Sequence, residues 1–400
     1  MLKLTVKNFG VLKDIDIELN KTNLFIGDNG SGKSTLAKLI TVLTDFTIDE
    51  DEIIKRLKNF NIDFLNKECF IQLKEDDKLI IEIIGLIVNF SSARKEVHQK
   101  IKHLEHSILM SKIVDDVKDD KLEIFLNSLL KDDSFKNDEK AKKNLTKICE
   151  NSEYRNQLSN TDKTINILKS KYIPAERNLI SLFNQSLSNM ISAEIPLPKT
   201  LLEFSAHYNS ARNEIKELDI LGMKYKNENF QDRIYYEDAN SLALENSSSG
   251  IQSALPLYLT LKYFSTKHEN IIIEEPELNL YPQSQIDTVK FMIENRQESF
   301  LSIMTHSPYI LSVLNVLIFA YKASNTNEIL KDKISMIIPK EQQINPDEFS
   351  AYIVENGISK SIKGKSTGMI QSNVIDDIGD MIDDEFGELM EIYREFKSDK

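Results

Sequence analysis

Eight consecutive residues, Gly27-Asp28-Asn29-Gly30-Ser31-Gly32-Lys33-Ser34, carry the densest chemical signal in the chain. They fit G-x-x-x-x-G-K-[ST]. The apolar run Asn23-Leu24-Phe25-Ile26 before them and the helical spacing of Leu36 to Leu43 after them supply the strand and helix such a loop requires. With no side chains at Gly27, Gly30 and Gly32, backbone N–H groups of the loop, Asn29 and Ser31 included, can converge on phosphates at a helix N-terminus. Lys33 adds a point charge for the β and γ phosphates, Ser34 a hydroxyl for Mg²⁺, and Thr35 backbone and hydroxyl contacts on the α-phosphate side. The expected cofactors are ATP and Mg²⁺.

A second constellation is Ile271-Ile272-Ile273-Glu274-Glu275-Pro276, an apolar strand that ends in two carboxylates. Such a strand buries its apolar residues and delivers Glu274 to the magnesium shell, while Glu275 can polarise the water that attacks the γ-phosphate. Glu274 stands where Asp is commoner. A further apolar strand leads into Thr305-His306-Ser307-Pro308, which makes His306 a candidate sensor of the γ-phosphate and the water. The expected catalytic set is Glu275, His306 and Lys33.

The third element, Asn246-Ser247-Ser248-Ser249-Gly250-Ile251-Gln252, is a turn of small polar residues opening the helical run Leu255 to Phe264. Serines and backbone N–H groups at a helix N-terminus form an anion site, and an ordinary N-cap has the same appearance. Ser248 and Gly250 are its candidate contacts. The remaining histidines, His98, His103, His106, His207 and His268, read as structural or solvated. His103 and His106 share a helix face without a third ligand nearby.

These motifs need an α/β frame with a central sheet, because each follows a short apolar run and precedes a helix. Leu2 to Leu19 alternates as paired strands. Strand-like pieces continue between about Ile48 and Phe90, and return at Lys171-Tyr172-Ile173, Ile220 to Tyr225, Arg233 to Tyr236, Ile271 to Ile273 and Phe300 to Met304. Ser91 to Ser170 is rich in Lys, Glu and Asp with apolar residues at helical spacing, as at Ile101, Leu104 and Ile108, and reads as a helical insertion. Near the end Ile375, Ile378, Ile382, Phe386, Leu389, Tyr393 and Phe396 recur at helical spacing. The acids Asp376, Asp377, Asp380, Asp383, Asp384 and Glu385 are then the wet face of an amphipathic helix and not a metal cluster. The expected domains are 1–90 (N-terminal core with the phosphate loop), 91–171 (helical insertion), 172–345 (C-terminal core) and 346–400 (C-terminal segment with the acidic helix).

The formal charge of −13 opposes broad attraction to nucleic acid, so any such contact must be focal. Cys69 and Cys149 lack the pairing of a zinc site or disulfide framework, which places the chain in a reducing, cytoplasmic compartment. The N-terminus has no signal-peptide core. The longest apolar stretches, Leu79 to Phe90 and Ile310 to Tyr321, fall short of the about 20 residues that span a bilayer, so no membrane partner is expected.

The order of motifs resembles the ABC-type P-loop ATPases of the RecF, SMC and OLD group, in particular the stand-alone AAA-family ATPases of bacteria. Lys7-Asn8-Phe9-Gly10-Val11-Leu12 before the phosphate loop is similar to their N-terminal entry. Tyr172-Ile173-Pro174-Ala175-Glu176-Arg177 resembles the segment where their chain returns from a helical lobe, and Ser248-Ser249-Gly250-Ile251-Gln252 resembles a degenerate signature motif. Glu274-Glu275-Pro276-Glu277-Leu278-Asn279-Leu280-Tyr281-Pro282 and Thr305-His306-Ser307-Pro308 complete the set. The resemblance implies an ATPase head with a central mixed sheet and a helical insertion. It also implies a homodimer or higher homo-oligomer, in which the signature turn of one subunit closes over the ATP of another and Asn279 crosses the interface. Ser249 and Ile251 depart from the fuller signature pattern, and Gln72 and Asn89 both remain open as the Q-loop residue.

OLD relatives carry a C-terminal TOPRIM nuclease, for which the stretch after Pro308 is expected to be too short. The expected function is therefore a sensor or regulator of a separate nuclease or toxin effector in bacterial antiphage defence, similar to the ATPase halves of systems such as Septu and PARIS. The alternative is a RecF- or SMC-like DNA-maintenance ATPase clamping duplex DNA, with Lys140, Lys142, Lys143 and Lys147 as a local basic patch. A transporter subunit fits poorly, because positions 34 and 248 are much further apart than the corresponding motifs of such subunits.

Overall fold

The computed structural model describes residues 1–99, 101–102, 169–183, 196–228, 231–236, 240–267, 269–297, 299–326 and 328–371. Most of the expected helical insertion, with His103, His106, Cys149 and the lysines at 140–147, lies outside the described residues, as do His268 and the acidic segment 372–400.

Among the described residues, eleven strands form one mixed sheet. Five of them run parallel: β7 (Ser170–Ile173), β12 (Asn270–Glu274), β13 (Leu301–Thr305), β3 (Thr22–Ile26) and β14 (Phe349–Glu355). Beyond β14 the sheet continues through β15 (Ile358–Ser361) and β2 (Leu12–Leu19) into an antiparallel wing made of β1 (Leu2–Phe9), β4 (Phe70–Glu75), β5 (Lys78–Ile84) and β6 (Ile87–Phe90). Residues 349–361 thus belong to the same sheet as the strand that enters the phosphate loop.

The period of two along each strand divides the core. On β12, Ile271 and Ile273 face one cluster and Ile272 the other; on β3, Leu24 and Phe25 divide likewise. Helices cover both faces, so these strands are buried along most of their length, and polar members such as Asn23 and Ser302 are hydrogen-bonded to each other (3.3 Å). On one side lie α1 (Lys33–Leu43) and α2 (Glu50–Asn59). On the other lie α3 (Asn178–Phe183), α4 (Lys199–Glu214), α5 (Ser249–Ser265), α6 (Pro282–Asn295) and α7 (Pro308–Ser324). No helix among the described residues is long and apolar enough to cross a membrane.

Two local expectations are corrected. The strand-like stretch after Ile48 contains α2, because Asp49 and Glu52 close a capping box and Ile53 and Leu57, four residues apart, are both buried. Ile220 to Tyr225 is not one strand but the bend between β8 (Glu217–Ile220) and β9 (Met223–Glu228), with Leu221 at φ 49° and Gly222 at φ 77°, the two positive values that a tight hairpin turn needs. These strands, with β10 (Gln231–Tyr235) and β11 (Ser241–Ala243), make a second antiparallel sheet that leads into α5. Buried Asp232 accepts from Tyr208 Oη (2.7 Å) and Tyr225 Oη (2.8 Å), which pins this sheet to α4.

Cys69 is buried and free, and burial pushes its thiol up to about 11, so it is inert packing. Burial also pulls His207 down to about 3, and His98 is buried with neither ring nitrogen hydrogen-bonded; both fit a structural role.

Candidate functional site

Three motif loops leave the carboxyl ends of adjacent parallel strands. Ile26 pairs with Thr305 and Met304 with Glu274, so the chain exits β3, β13 and β12 side by side into Gly27, His306 and Glu275. That neighbourhood at a strand-end crevice is where open α/β sheets bind ligands.

The phosphate loop turns into α1 at Gly32, whose φ of 109° is a conformation that a residue with a side chain rarely adopts. Asp28, Asn29, Gly30 and Ser34 are exposed, whereas Lys33 is only 6% exposed. Its Nζ donates to Gly27 O (2.6 Å), Asp28 O (2.8 Å) and Ser31 Oγ (3.3 Å). Burial lowers the pKa of this amine, and the carboxylates of Glu275, Asp28, Glu274 and Glu277 oppose the shift. The loops from β3 and β12 therefore share one electrostatic site.

Glu274 is buried, and desolvation pushes its carboxyl up to about 7 despite hydrogen bonds from Tyr172 and Ser34 and the charge of Lys38. Its Oε1 is buried with no hydrogen-bond partner. An orphaned carboxylate oxygen beside the Ser34 hydroxyl is a donor set that suits Mg²⁺. Glu275 Oε1 lies 3.4 Å from His306 Nε2, with both side chains about one-third exposed to the site. The backbone of Glu275 is left-handed, φ 44°, a strain of about 1–3 kcal/mol of the kind stored at functional sites.

Sequence reasoning assigned no role to two contributors. Glu277 Oε1 accepts from Thr305 Oγ1 and from the His306 N–H, each at 2.7 Å, and so fixes the His306 loop to the segment after β12. The cleft beside the phosphate loop, about 430 Å³, is lined by Asp28, Asn29, Gly30 and Ser31 together with Glu355 and Asn356 from the β14–β15 turn. Asn356-Gly357 between Val354 and Ile358 is a hairpin signal that would have located the turn, though not its neighbour in space.

Neither Gln72 nor Asn89 lines this cleft; Gln72 donates to Glu82 Oε1 within the wing (2.8 Å). Ser248 is the N-cap of α5 and is exposed with Ser249, and neither lines the phosphate-loop cleft. A Cβ on Gly250 would lie 2.9 Å from Asn279 O, which makes this glycine a point of close helix–loop approach. Gly250→Ala is accordingly expected to lower the melting temperature, because overpacking costs about 1–3 kcal/mol. An unchanged thermal melt would mean that the Asn279 loop yields freely.

The chain is 24% identical over 378 residues to endonuclease GajA of Bacillus cereus (strain VD045), an alignment covering 86% of this chain and 60% of that protein. It therefore spans only about three-fifths of that relative's length. Among solved structures, the Smc head domain of Pyrococcus furiosus with an extended coiled coil, bound to the C-terminal domain of ScpA, superposes with a TM-score of 0.39 at 15% identity, covering 96% of this chain and 100% of that one. The SMC head domain from Thermotoga maritima gives 0.39 at 12% identity, covering 90% and 97%. At such scores no residue's role transfers. The family model described as AAA ATPase domain matches residues 1–311, well over half of the chain. The protein belongs to the AAA ATPase domain family and is an ATPase.

Proposed function

We propose that the protein dimerises around MgATP and acts as the sensor or regulator of a separate nuclease or toxin effector in bacterial antiphage defence. Lys33 and the loop amides from Gly27 to Thr35 hold the phosphates, Ser34 and Glu274 hold Mg²⁺, Glu275 polarises the attacking water and His306 senses the γ-phosphate. The observation that carries the catalytic part is the adjacency of β3, β13 and β12, which supports one site built from three motif loops. Head-to-tail dimerisation is supported by the exposure of Ser248 and Ser249, neither of which lines the chain's own phosphate-loop cleft: an anion site so placed would serve the ATP of another copy. The domain division proposed is a core made of 1–90 and 172–345 with an insertion at 91–171, and the 346–400 segment begins inside that core, because its β14 and β15 complete the central sheet.

The effector part of the reading is supported by the motif resemblance and by the similarity to a relative whose name is that of an endonuclease. Its test is purification of the tagged chain from its native host in the presence of MgATP, with assay of whatever co-purifies. A stoichiometric nuclease or toxin whose activity changes when ATP is withdrawn is the expected result. No such partner, together with hydrolysis stimulated by duplex DNA, would replace this reading with the DNA-maintenance one. Dimerisation is read separately, as an ATP-dependent doubling of mass in light scattering with Glu275→Gln.

A further inference from the structure

Arg177 closes the short 3-10 turn Ala175–Arg177 after β7, and its side chain is completely buried. Four hydrogen bonds leave its guanidinium, all to main-chain oxygens. Nε donates to Ser253 O (3.0 Å), Nη1 to Pro174 O (3.1 Å) and Glu274 O (2.7 Å), and Nη2 to Glu275 O (2.6 Å). A buried charge is costly unless its donors are satisfied, and here the planar fork matches carbonyls contributed by three separate segments.

Two of those carbonyls flank the left-handed Glu275. Glu274 O belongs to the peptide before its Cα and Glu275 O to the peptide after it, so fixing both planes fixes the backbone angles between them and hence the direction of the Glu275 side chain. The Glu275 N–H is held in addition by Met304 O at 2.8 Å. A strained conformation persists only where its surroundings over-determine it, and Arg177 supplies two of the restraints.

The same guanidinium reaches α5. Ser253, whose carbonyl it holds, also accepts at Oγ from Asn279 Nδ2 (3.1 Å), and the neighbouring Gln252 O accepts from Ser181 Oγ (2.7 Å). The helix that begins at the Ser247–Gly250 turn and the backbone of Glu275 are therefore gripped by one side chain.

We propose that Arg177 is a positioning residue for ATP hydrolysis, which aims the Glu275 carboxylate by fixing the peptides on either side of it relative to the first turns of α5. The proposal rests on the reading of Glu275 as the base that polarises water.

Its test compares hydrolysis and binding of a fluorescent ATP analogue in the wild type, Arg177→Lys, Glu275→Gln and the double variant. Lysine keeps the charge but cannot span the separated carbonyls. Arg177→Lys should lower kcat by about 10- to 100-fold, the scale of a small misplacement of a catalytic group, and leave KM and nucleotide affinity within about threefold. In the Glu275→Gln background the same change should cost no more than about twofold, because residues acting through one another are not additive. An Arg177→Lys protein with unchanged kcat overturns the proposal, as does an equal loss in both backgrounds. Undiminished turnover in Glu275→Gln removes the base and the proposal together, so the two failures are distinguishable. If Arg177→Lys does not fold, hydrogen exchange of the wild type decides: the amides of Ile251 to Ser253 and of Glu275 should change protection in step as MgATP is titrated, and independent changes overturn the coupling.

Discussion

Glu275→Gln is expected to cut turnover by about 100- to 10,000-fold, the range that a positioned general base contributes, with ATP still bound. The amide preserves the shape of the side chain and its place 3.4 Å from His306 Nε2, but it cannot take a proton from water. Ground-state binding should hold or tighten. Glu275 is one of four carboxylates whose charge reaches Lys33, and neutralising it reduces repulsion against the γ-phosphate. Single-turnover hydrolysis alongside nucleotide binding separates the two effects. Turnover within about threefold of wild type would remove Glu275 as the base and leave water activation to another group.

The parts of this site that were legible in the sequence are those whose chemistry is contiguous. A phosphate loop has to be an unbroken strand–glycine turn–helix, so Gly27 to Ser34 declared its conformation. The apolar strand before Glu274 and the one before Thr305 likewise placed their polar ends at the rim of a sheet. What brings them together is strand order, with β13 between β3 and β12, and no residue pattern encodes which strand lies beside which. The same limit hid Glu355 and Asn356: β14 enters the sheet next to β3 although more than three hundred positions separate them in the chain.

Other misses were local conflicts that the period of apolar residues alone did not resolve. Ile53 and Leu57 suit either a helix or a strand edge, and the Asp49–Glu52 capping box decided for a helix. Leu221 at positive φ is a residue type that gives no turn signal, and Gly222 alone split the β8–β9 hairpin. Arg177 and Glu277 illustrate a third kind. Their roles rest on hydrogen bonds to backbone atoms far away in sequence, and a main-chain carbonyl or N–H leaves no residue signature that a reader of the chain could match to its partner.

Lys33→Ala is expected to lower ATP affinity by at least about 100-fold, and here the geometry of the lysine matters as much as its charge. Two charge-assisted hydrogen bonds to phosphate oxygens are worth about 1.5–3 kcal/mol each, and tenfold in affinity corresponds to about 1.4 kcal/mol. Removing the amine also leaves Glu275, Asp28, Glu274 and Glu277 facing the phosphates without their nearby cation. The fold should survive, because Asp28 is exposed and water can replace the amine at the loop carbonyls, so the melting temperature should shift by only a few degrees. Isothermal titration with MgATP reads the loss, and affinity within about threefold of wild type would contradict it. Lys33→Arg separates charge from fit. The side chain at this position is 6% exposed, and Gly27 O, Asp28 O and Ser31 Oγ converge on one ammonium nitrogen, an arrangement suited to a compact point charge and not to a planar fork. Arginine should therefore fail nearly as badly as alanine; if it bound ATP like wild type, a positive charge anywhere in the loop would suffice and the close fit around the amine would carry no weight.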